Sequence, residues 1–350
     1  MDISLVYKIA AFVIASRTID YILDKRKKLP VDLPVNELLQ LTGFLRYKHE
    51  VICFADTNHT DLHVQALLGS ADLASGLKIQ GFDHSFTEDP TYEQELTDKL
   101  KAGDISRKEF VDQYTKKNHG NDWCGPNIGK QMAAQLARII TESGQSLHHV
   151  DARWKHVDKI PANKETMLWK TAKFSVRLAH RTARFCFPKS PIVSHVFVII
   201  AGLLTRSDPK YLKFFMDDSI GAKEIAIFMD NVPGKQAVVT YGAGHFNGSA
   251  EKFGMRGMDR QLKELGLNPV VVNIYPNKNA RVRYYRCFKG VERTNPHFRS
   301  PHVDFIVRPA DGQHVYFTSA KQEAAFREFC AKDCMREIPA LGPGVAPAFS

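Results

Sequence analysis

The chain has 350 residues, of which 44% are hydrophobic and 25% are charged, and its formal net charge is +10. These proportions are typical of a globular protein and exclude a largely disordered chain. The length predicts one large domain or two of ordinary size. Because the lysines and arginines are dispersed and do not alternate with aromatic residues, nucleic acid is not expected as a partner.

Residues 1–35 combine an apolar stretch at helical spacing with a charged linker that contains proline. The stretch lacks the basic start and the cleavage site of a signal peptide. It therefore predicts a helix packed on the domain, with a membrane-surface anchor as the alternative. None of the six cysteines forms a CxxC pair. Reduced thiols indicate a cytoplasmic protein, and a secreted effector or a membrane-associated protein stays open as an alternative.

Short apolar runs that end in polar residues predict the strands of a sheet. Three of them lie in the first half of the chain, at 50–56, 76–85 and 146–153, and three in the second half, at 236–245, 268–276 and 302–309. Helical patterns separate most of these runs. This alternation predicts an α/β fold with a mostly parallel central sheet and helices on both of its faces.

Residues 154–210 follow a different pattern and predict an inserted helical subdomain. A basic amphipathic stretch at 169–184 precedes an apolar run at 192–204, which is too short to span a bilayer. The two could cover the sheet or, through 169–204, make a peripheral contact with a membrane. The predicted parts of the chain are an N-terminal helix and linker (1–35), two halves of an α/β core (36–153 and 211–335), the insertion (154–210) and a flexible tail (336–350).

Polar side chains follow four of the predicted strands. They are Asp56 to His59, Asp83 to Ser85, Asp151 to Arg153, and Gly242 to His245. Ligands of parallel sheets bind beyond the carboxyl ends of the strands. We therefore expect these residues to meet at one edge of the sheet, in a pocket built around His59 and His245.

The types of these residues define the expected chemistry. His59 and His245 are predicted to be catalytic, as ligands or as acid/base groups, with Asp56 and Asp83 orienting them or completing the site. A divalent metal held by His59, His245 and Asp83 could activate water. The same residues without a metal could assist hydrolysis directly.

Four further residues are predicted to bind the substrate, and they are Asn58, Arg153, Tyr241 and Asn247. The guanidinium of Arg153 suits a carboxylate or phosphate group, and the other three flank the two histidines. The expected partner is a small-molecule or peptide substrate.

Two segments carry a resemblance to a known superfamily. FADTNH (54–59) and VVTYGAGH (238–245) resemble the two GxxH-type segments of the Tiki superfamily. That superfamily gathers the Tiki metalloproteases, the TraB and PrgY proteins, the erythromycin esterases and the ChaN haem-uptake lipoproteins. The resemblance extends over residues 45–275.

The resemblance implies roles for particular residues. By it, His59 and His245 are the motif histidines, and Asp83 matches the family glutamate by type. Asp217 or Asp218 falls near an Arg-Asp/Asn pair of the family, although the arginine is absent from this chain.

The same resemblance implies a function and its alternatives. It implies a hydrolase that acts on an ester or amide bond, with zinc, manganese or cobalt as the divalent metal if one is used. One alternative is a non-catalytic protein of the ChaN type that binds haem or a metal. Another is a membrane-associated regulator or effector that keeps the fold without the chemistry.

Overall fold

The computed structural model describes residues 28–30, 35–56, 62–117, 126–151, 217–232, 234–246, 256–274, 305–307, 315–317 and 320–333. Most of the predicted N-terminal part, the whole of the predicted insertion at 154–210 and the predicted tail at 336–350 lie outside these ranges. The described strands form one sheet in the order β3-β2-β4-β1-β5-β6-β7. The first six run parallel, and β7 pairs with β6 in the antiparallel direction.

The strands have the following bounds: β1 Val51–Asp56, β2 Phe82–Pro90, β3 Ser146–Asp151, β4 Gln236–Gly242, β5 Pro269–Ile274, β6 Phe305–Val307 and β7 Val315–Phe317. The helices in chain order are α1 Asn36–Leu45, α2 Leu62–Leu68, α3 Ala71–Ile79, α4 Gln94–Ala102, α5 Arg107–Lys117, α6 Pro126–Glu142, α7 Ser219–Asp230, α8 Met258–Glu264 and α9 Ala320–Asp333. No helix of the described part is long and apolar enough to cross a membrane.

Strand β1 lies at the centre of the sheet, and all six of its residues are buried. Ile52 and Phe54 face one side of the sheet and pack with α1, α2 and α3. Cys53 and Ala55 face the other side and pack with α7 and α8. Burial on both faces explains the continuous apolar run of this strand. The structure thus confirms an α/β fold with a mostly parallel sheet and helices on both faces.

The strand predicted at 76–85 is wrong in its position. Helix α3 occupies the first part of that range, and its start is capped by the Ser70 hydroxyl, which accepts a hydrogen bond from the Leu73 amide. Gly81 then turns the chain with a φ of 96°, a conformation that favours glycine. Strand β2 begins only at Phe82. Asp83 therefore lies at the amino end of β2, and the carboxyl end extends to Pro90.

The order of the strands brings distant parts of the chain together. Strand β4 lies between β2 and β1, so the carboxyl ends of these three strands are neighbours at one edge of the sheet. The final residue of β1, Asp56, lies opposite Gly242, the final residue of β4. We call this side of the sheet, where β1, β2 and β4 end, the carboxyl edge.

The central packing can be tested on Phe54, whose side chain is fully buried. Replacing Phe54 by Ala leaves a cavity in the layer between β1 and α1–α3, and we expect it to lower the free energy of unfolding by about 3–5 kcal/mol. Urea denaturation measures this change. Ile227→Ala is the matched control, since Ile227 is 62% exposed on α7 and should change stability by less than about 0.5 kcal/mol. Equal effects of the two substitutions would contradict the assigned core.

Candidate functional site

His245 lies at the carboxyl edge, in a short 3-10 turn that directly follows β4. Its imidazole is buried and contacts a carboxylate at each ring nitrogen. Nδ1 lies 2.8 and 2.9 Å from the two carboxylate oxygens of Asp218. Nε2 lies 3.0 Å from Oε1 of Glu88. We call these three residues the Asp218–His245–Glu88 triad.

Three separate elements hold the triad. Asp218 is the residue before α7, and its side chain is only 1% exposed. Glu88 lies near the end of β2 and is 30% exposed. The backbone amide of Gly242 donates a hydrogen bond of 2.8 Å to Oε2 of Glu88. Glu88 is therefore held from two directions and is the most exposed member of the triad.

The two carboxylates set the charge of the imidazole. Burial alone would lower the pKa of His245, but the charges and hydrogen bonds of Glu88 and Asp218 raise that pKa to about 10. His245 is consequently an imidazolium at neutral pH, with both N–H groups donating to carboxylates. Two negative charges flank one positive charge, so the triad as a whole carries one net negative charge.

The described residues do not fit a metal site. Among them, no group of three or more His, Cys, Asp and Glu side chains could hold a metal ion. A ligating imidazole needs a free lone pair, whereas both ring nitrogens of His245 donate hydrogen bonds to carboxylates. Of the predicted metal ligands His59, His245 and Asp83, His59 lies outside the described part of the chain. The other two, His245 and Asp83, are not brought together.

Asp83 lies far from the triad, which corrects its predicted role. It forms ion pairs with Lys78 and with Lys235, the latter at 2.6 Å. Hydrogen bonds from Lys235 and Lys78 lower the pKa of Asp83 to about 2. Asp83 and Glu88 are five residues apart on one extended strand, which corresponds to roughly 17 Å. Asp83 therefore serves the amino edge of the sheet and cannot orient His245.

Asp56 and Tyr241 are both close to the carboxyl edge, but in different settings. Asp56 is the last residue of β1 and accepts a hydrogen bond of 2.6 Å from the Gln65 amide on α2. Tyr241 is only 3% exposed, packs in the core beneath α7 and places its ring edge-on to His245. Its buried ring supports His245, and the role of Tyr241 in binding substrate stays a prediction.

Four of the sequence-predicted site residues lie outside the described part of the chain. They are Asn58, His59, Arg153 and Asn247. Their roles as a catalytic or metal-binding histidine and as substrate-binding residues stay predictions.

The sequence reasoning missed Glu88, and it reached Asp218 only as one of two residues near a family motif. The predicted second strand ends at residue 85, before Glu88, because the prediction begins that strand too early in the chain. The signal that could have found it is the sequence FTEDP at 86–90. Its polar residues precede a proline, which cannot donate a hydrogen bond to a neighbouring strand and so limits how far the regular pairing can continue.

Known proteins offer only distant likenesses. No family model matches the chain, and no curated protein matches it. Among solved structures, the type III effector HopBA1 is 14% identical with a TM-score of 0.38, over 82% of this chain and 94% of that chain. The ChaN protein of Campylobacter jejuni, solved with cofacial haem, is 14% identical with a TM-score of 0.35, over 71% and 88%. At these scores the two likenesses carry no conclusion about this chain, and membership of the Tiki superfamily stays a prediction.

The position of His245 depends on a close backbone contact at Gly257, the residue before α8. A Cβ atom at Gly257 would lie 2.6 Å from the carbonyl oxygen of Phe246 and 3.2 Å from that of His245. We expect Gly257→Ala to displace the 3-10 turn and to lower stability by about 1–3 kcal/mol. Urea denaturation and the ring resonances of His245 measure the two effects.

Gly43→Ala is the matched control for this substitution. Gly43 lies inside α1, and its added Cβ would make ordinary van der Waals contacts with the Gln80 side chain at 3.5 Å and with the Phe329 ring at 3.9 Å. Alanine favours the helix there by up to about 1 kcal/mol. A Gly257→Ala protein as stable as the Gly43→Ala protein would contradict the close contact.

The charged state of His245 predicts a dependence of stability on pH. Folding raises the pKa of His245 from its ordinary value of 6.5 to about 10, so the folded state holds this proton more tightly than the unfolded chain does. The resulting stabilisation is complete below about pH 6.5 and is lost as the pH rises towards 10, at up to about 1.4 kcal/mol per pH unit.

Urea denaturation between pH 6 and 10 checks this dependence. In Glu88→Gln one of the two carboxylates no longer raises the pKa of His245. The pH-dependent stabilisation should therefore be lost completely at a lower pH than in the wild type. Superimposable pH profiles for the two proteins would show that Glu88 does not set the charge of His245.

Proposed function

We propose that the chain is a hydrolase of ester or amide bonds in which the Asp218–His245–Glu88 triad carries the proton. The observation that supports this is the imidazole of His245 held between two carboxylates at the carboxyl edge of a parallel sheet. That edge is where such sheets place their ligands. The groups of the triad itself support the proposal, and among the described residues no group of three or more His, Cys, Asp and Glu side chains forms a metal site.

Glu88 is the member of the triad that would exchange the proton with the reactants. Its side chain is 30% exposed, against 11% for His245 and 1% for Asp218. Water attacks the carbonyl carbon as Glu88 takes one proton from it, and the protonated carboxyl group then gives that proton to the leaving alcohol or amine. The net negative charge of the resting triad favours uptake of one proton.

The other two members would act through Glu88. The imidazolium of His245 fixes one oxygen of Glu88, and the Gly242 amide fixes the other. Asp218 in turn holds the opposite side of the ring and keeps it charged. This division of labour follows the general rule that a buried carboxylate orients a functional imidazole.

Haem or metal binding of the ChaN type is the alternative function. In that case His59, His245 or Tyr241 would offer a ligand atom, and of these three only His245 and Tyr241 lie in the described part of the chain. Both nitrogens of His245 are engaged by carboxylates, and Tyr241 is buried. The geometry of the described residues therefore favours proton transfer over ligation.

Kinetics on a panel of p-nitrophenyl esters and fluorogenic peptides would test the proposal. Glu88→Gln should lower kcat by about 10²–10⁴-fold, the range of general acid–base catalysis. Asp83→Asn is the informative comparison, because the sequence alone had favoured Asp83 and the structure places it at the amino edge. Activity lost equally in both variants, or absent from the wild type on both substrate classes, would refute the triad as the catalytic group.

Two measurements on the purified wild-type protein separate the alternatives. The proposal expects activity to survive treatment with a chelator and expects no Soret band in the absorption spectrum. Activity that a chelator abolishes and zinc, manganese or cobalt restores would instead establish a metal hydrolase. A Soret band without hydrolytic turnover would establish haem binding.

A further inference from the structure

The end of β2 is irregular where it carries Glu88. The regular pairing of β2 with β4 ends at Thr87, which lies opposite Thr240. On the other side, the pairing of β2 with β3 shifts between Thr87 and Pro90. Two residues of β2, Glu88 and Asp89, therefore lie opposite a single residue of β3. Such bulges re-aim side chains, and the ladder hydrogen bonds no longer fix the strand there.

The side chain of His149 lies beside this bulge and contacts the residues on both sides of Glu88. Nδ1 of His149 is 3.2 Å from the Thr87 hydroxyl and 3.5 Å from Oδ2 of Asp89. Nε2 is 2.8 Å from the hydroxyl of Thr97 on α4. The His149 side chain is fully buried, so these contacts are made without competition from water.

Further hydrogen bonds hold the backbone of β3 at His149 and the side chain of Asp89 on β2. The Gln94 side chain accepts a hydrogen bond from the backbone amide of His149 at 2.9 Å and donates one to the Leu147 carbonyl at 3.2 Å. The Tyr114 hydroxyl donates to Asp89 at 3.0 Å. The result is that β3 and helices α4 and α5 hold the bulge through side chains, where the backbone ladder does not.

We propose that His149 is a positioning residue for the triad, because its contacts with Thr87 and Asp89 fix where the Glu88 carboxylate meets His245. The catalytic consequence rests on the proposed hydrolase function, whereas the positional claim does not. His149 contacts neither His245 nor Glu88 in any hydrogen bond described above, and it acts only through the backbone of β2. A displacement of about 1 Å in a catalytic group can lower the rate by about 10²-fold.

The tests combine one disruptive variant with one conservative variant. His149→Leu fills the site but removes both ring nitrogens, and so releases Thr87 and Asp89. His149→Asn keeps an amide close to the place of Nδ1 and should restore some of the contacts with Thr87 and Asp89. Thr97→Val removes only the hydroxyl that holds Nε2. It gives a milder version of the effect should His149→Leu fail to fold.

His148→Leu is the matched control. His148 is the neighbour of His149 on β3 but faces the opposite side of the sheet, where it packs against Phe86 and Phe228. The same substitution there disturbs β3 without touching Thr87 or Asp89.

The primary readout is the charge of His245, which needs no substrate. Nitrogen-15 spectra of the imidazole side chains, with His245 assigned through its loss in His245→Gln, give its pKa directly. We expect the pKa of His245 to fall by about 1–3 units in His149→Leu as Glu88 moves away. The fall should be smaller in His149→Asn and in Thr97→Val, and negligible in His148→Leu. Where activity is present, kcat should fall by about 10²-fold in His149→Leu with little change in KM.

The outcomes are distinguishable from those for the proposed function. An unchanged His245 resonance in a folded His149→Leu or Thr97→Val protein would overturn the positioning role, whatever the activity. An equal change in His148→Leu would overturn it too, because it would show general loosening of β3. Absence of hydrolysis in the wild type would refute the hydrolase and leave the His245 measurement intact.

Discussion

The imidazolium of His245, held between Asp218 and Glu88, is the interaction on which the candidate site depends. Burying two carboxylates and a cation is unfavourable unless their geometry and remaining hydrogen bonds are good. Here both ring nitrogens have carboxylate partners, and Glu88 has a backbone donor as well. Removing the imidazolium of His245 would leave two neighbouring carboxylates without a cation, and an uncompensated charge of this kind typically destabilises a protein by about 3–5 kcal/mol. The site and the stability of this edge of the sheet are therefore linked.

The order of the strands makes this interaction possible. Glu88 and His245 come from opposite halves of the chain and meet because β4 is inserted between β2 and β1. Asp218 arrives from the start of α7, which packs on one face of the same strands. On the other face, the network of His149, Thr97 and Asp89 fixes the end of β2. The triad is thus supported from both sides of the sheet.

The sequence predicted the central strands well because their signal is simple. Strands β1 and β4 are buried on both faces and appear as the short apolar runs VICFA and AVVTY. Strand β2 has only Phe82 and Phe86 as large apolar residues. The apolar residues at the end of the preceding helix therefore look more like a strand, and the prediction begins the second strand there. The short antiparallel β7 was not predicted at all.

The site was harder to predict than the fold. His245 can be predicted because it directly follows a clear strand, whereas the prediction of Asp83 depends on a boundary of β2 that the sequence does not define. No local pattern could pair Asp218 with His245, which are 27 residues apart, or reveal that Glu88 approaches the Gly242 amide. Those contacts arise from the insertion of β4 and from the bulge in β2, and both are properties of the assembled sheet.

The hydrogen bond from Gly242 to Glu88 has an evolutionary consequence. Its donor belongs to the main chain, and Gly242 has a φ of −56°, a value that L-residues adopt freely. Proline is the one residue that would remove the donor, because it has no backbone N–H. Nearly every codon change at this position would preserve the N–H group. The N–H donor to Glu88 therefore does not depend on the identity of a side chain, whereas the second donor is lost whenever His245 is replaced.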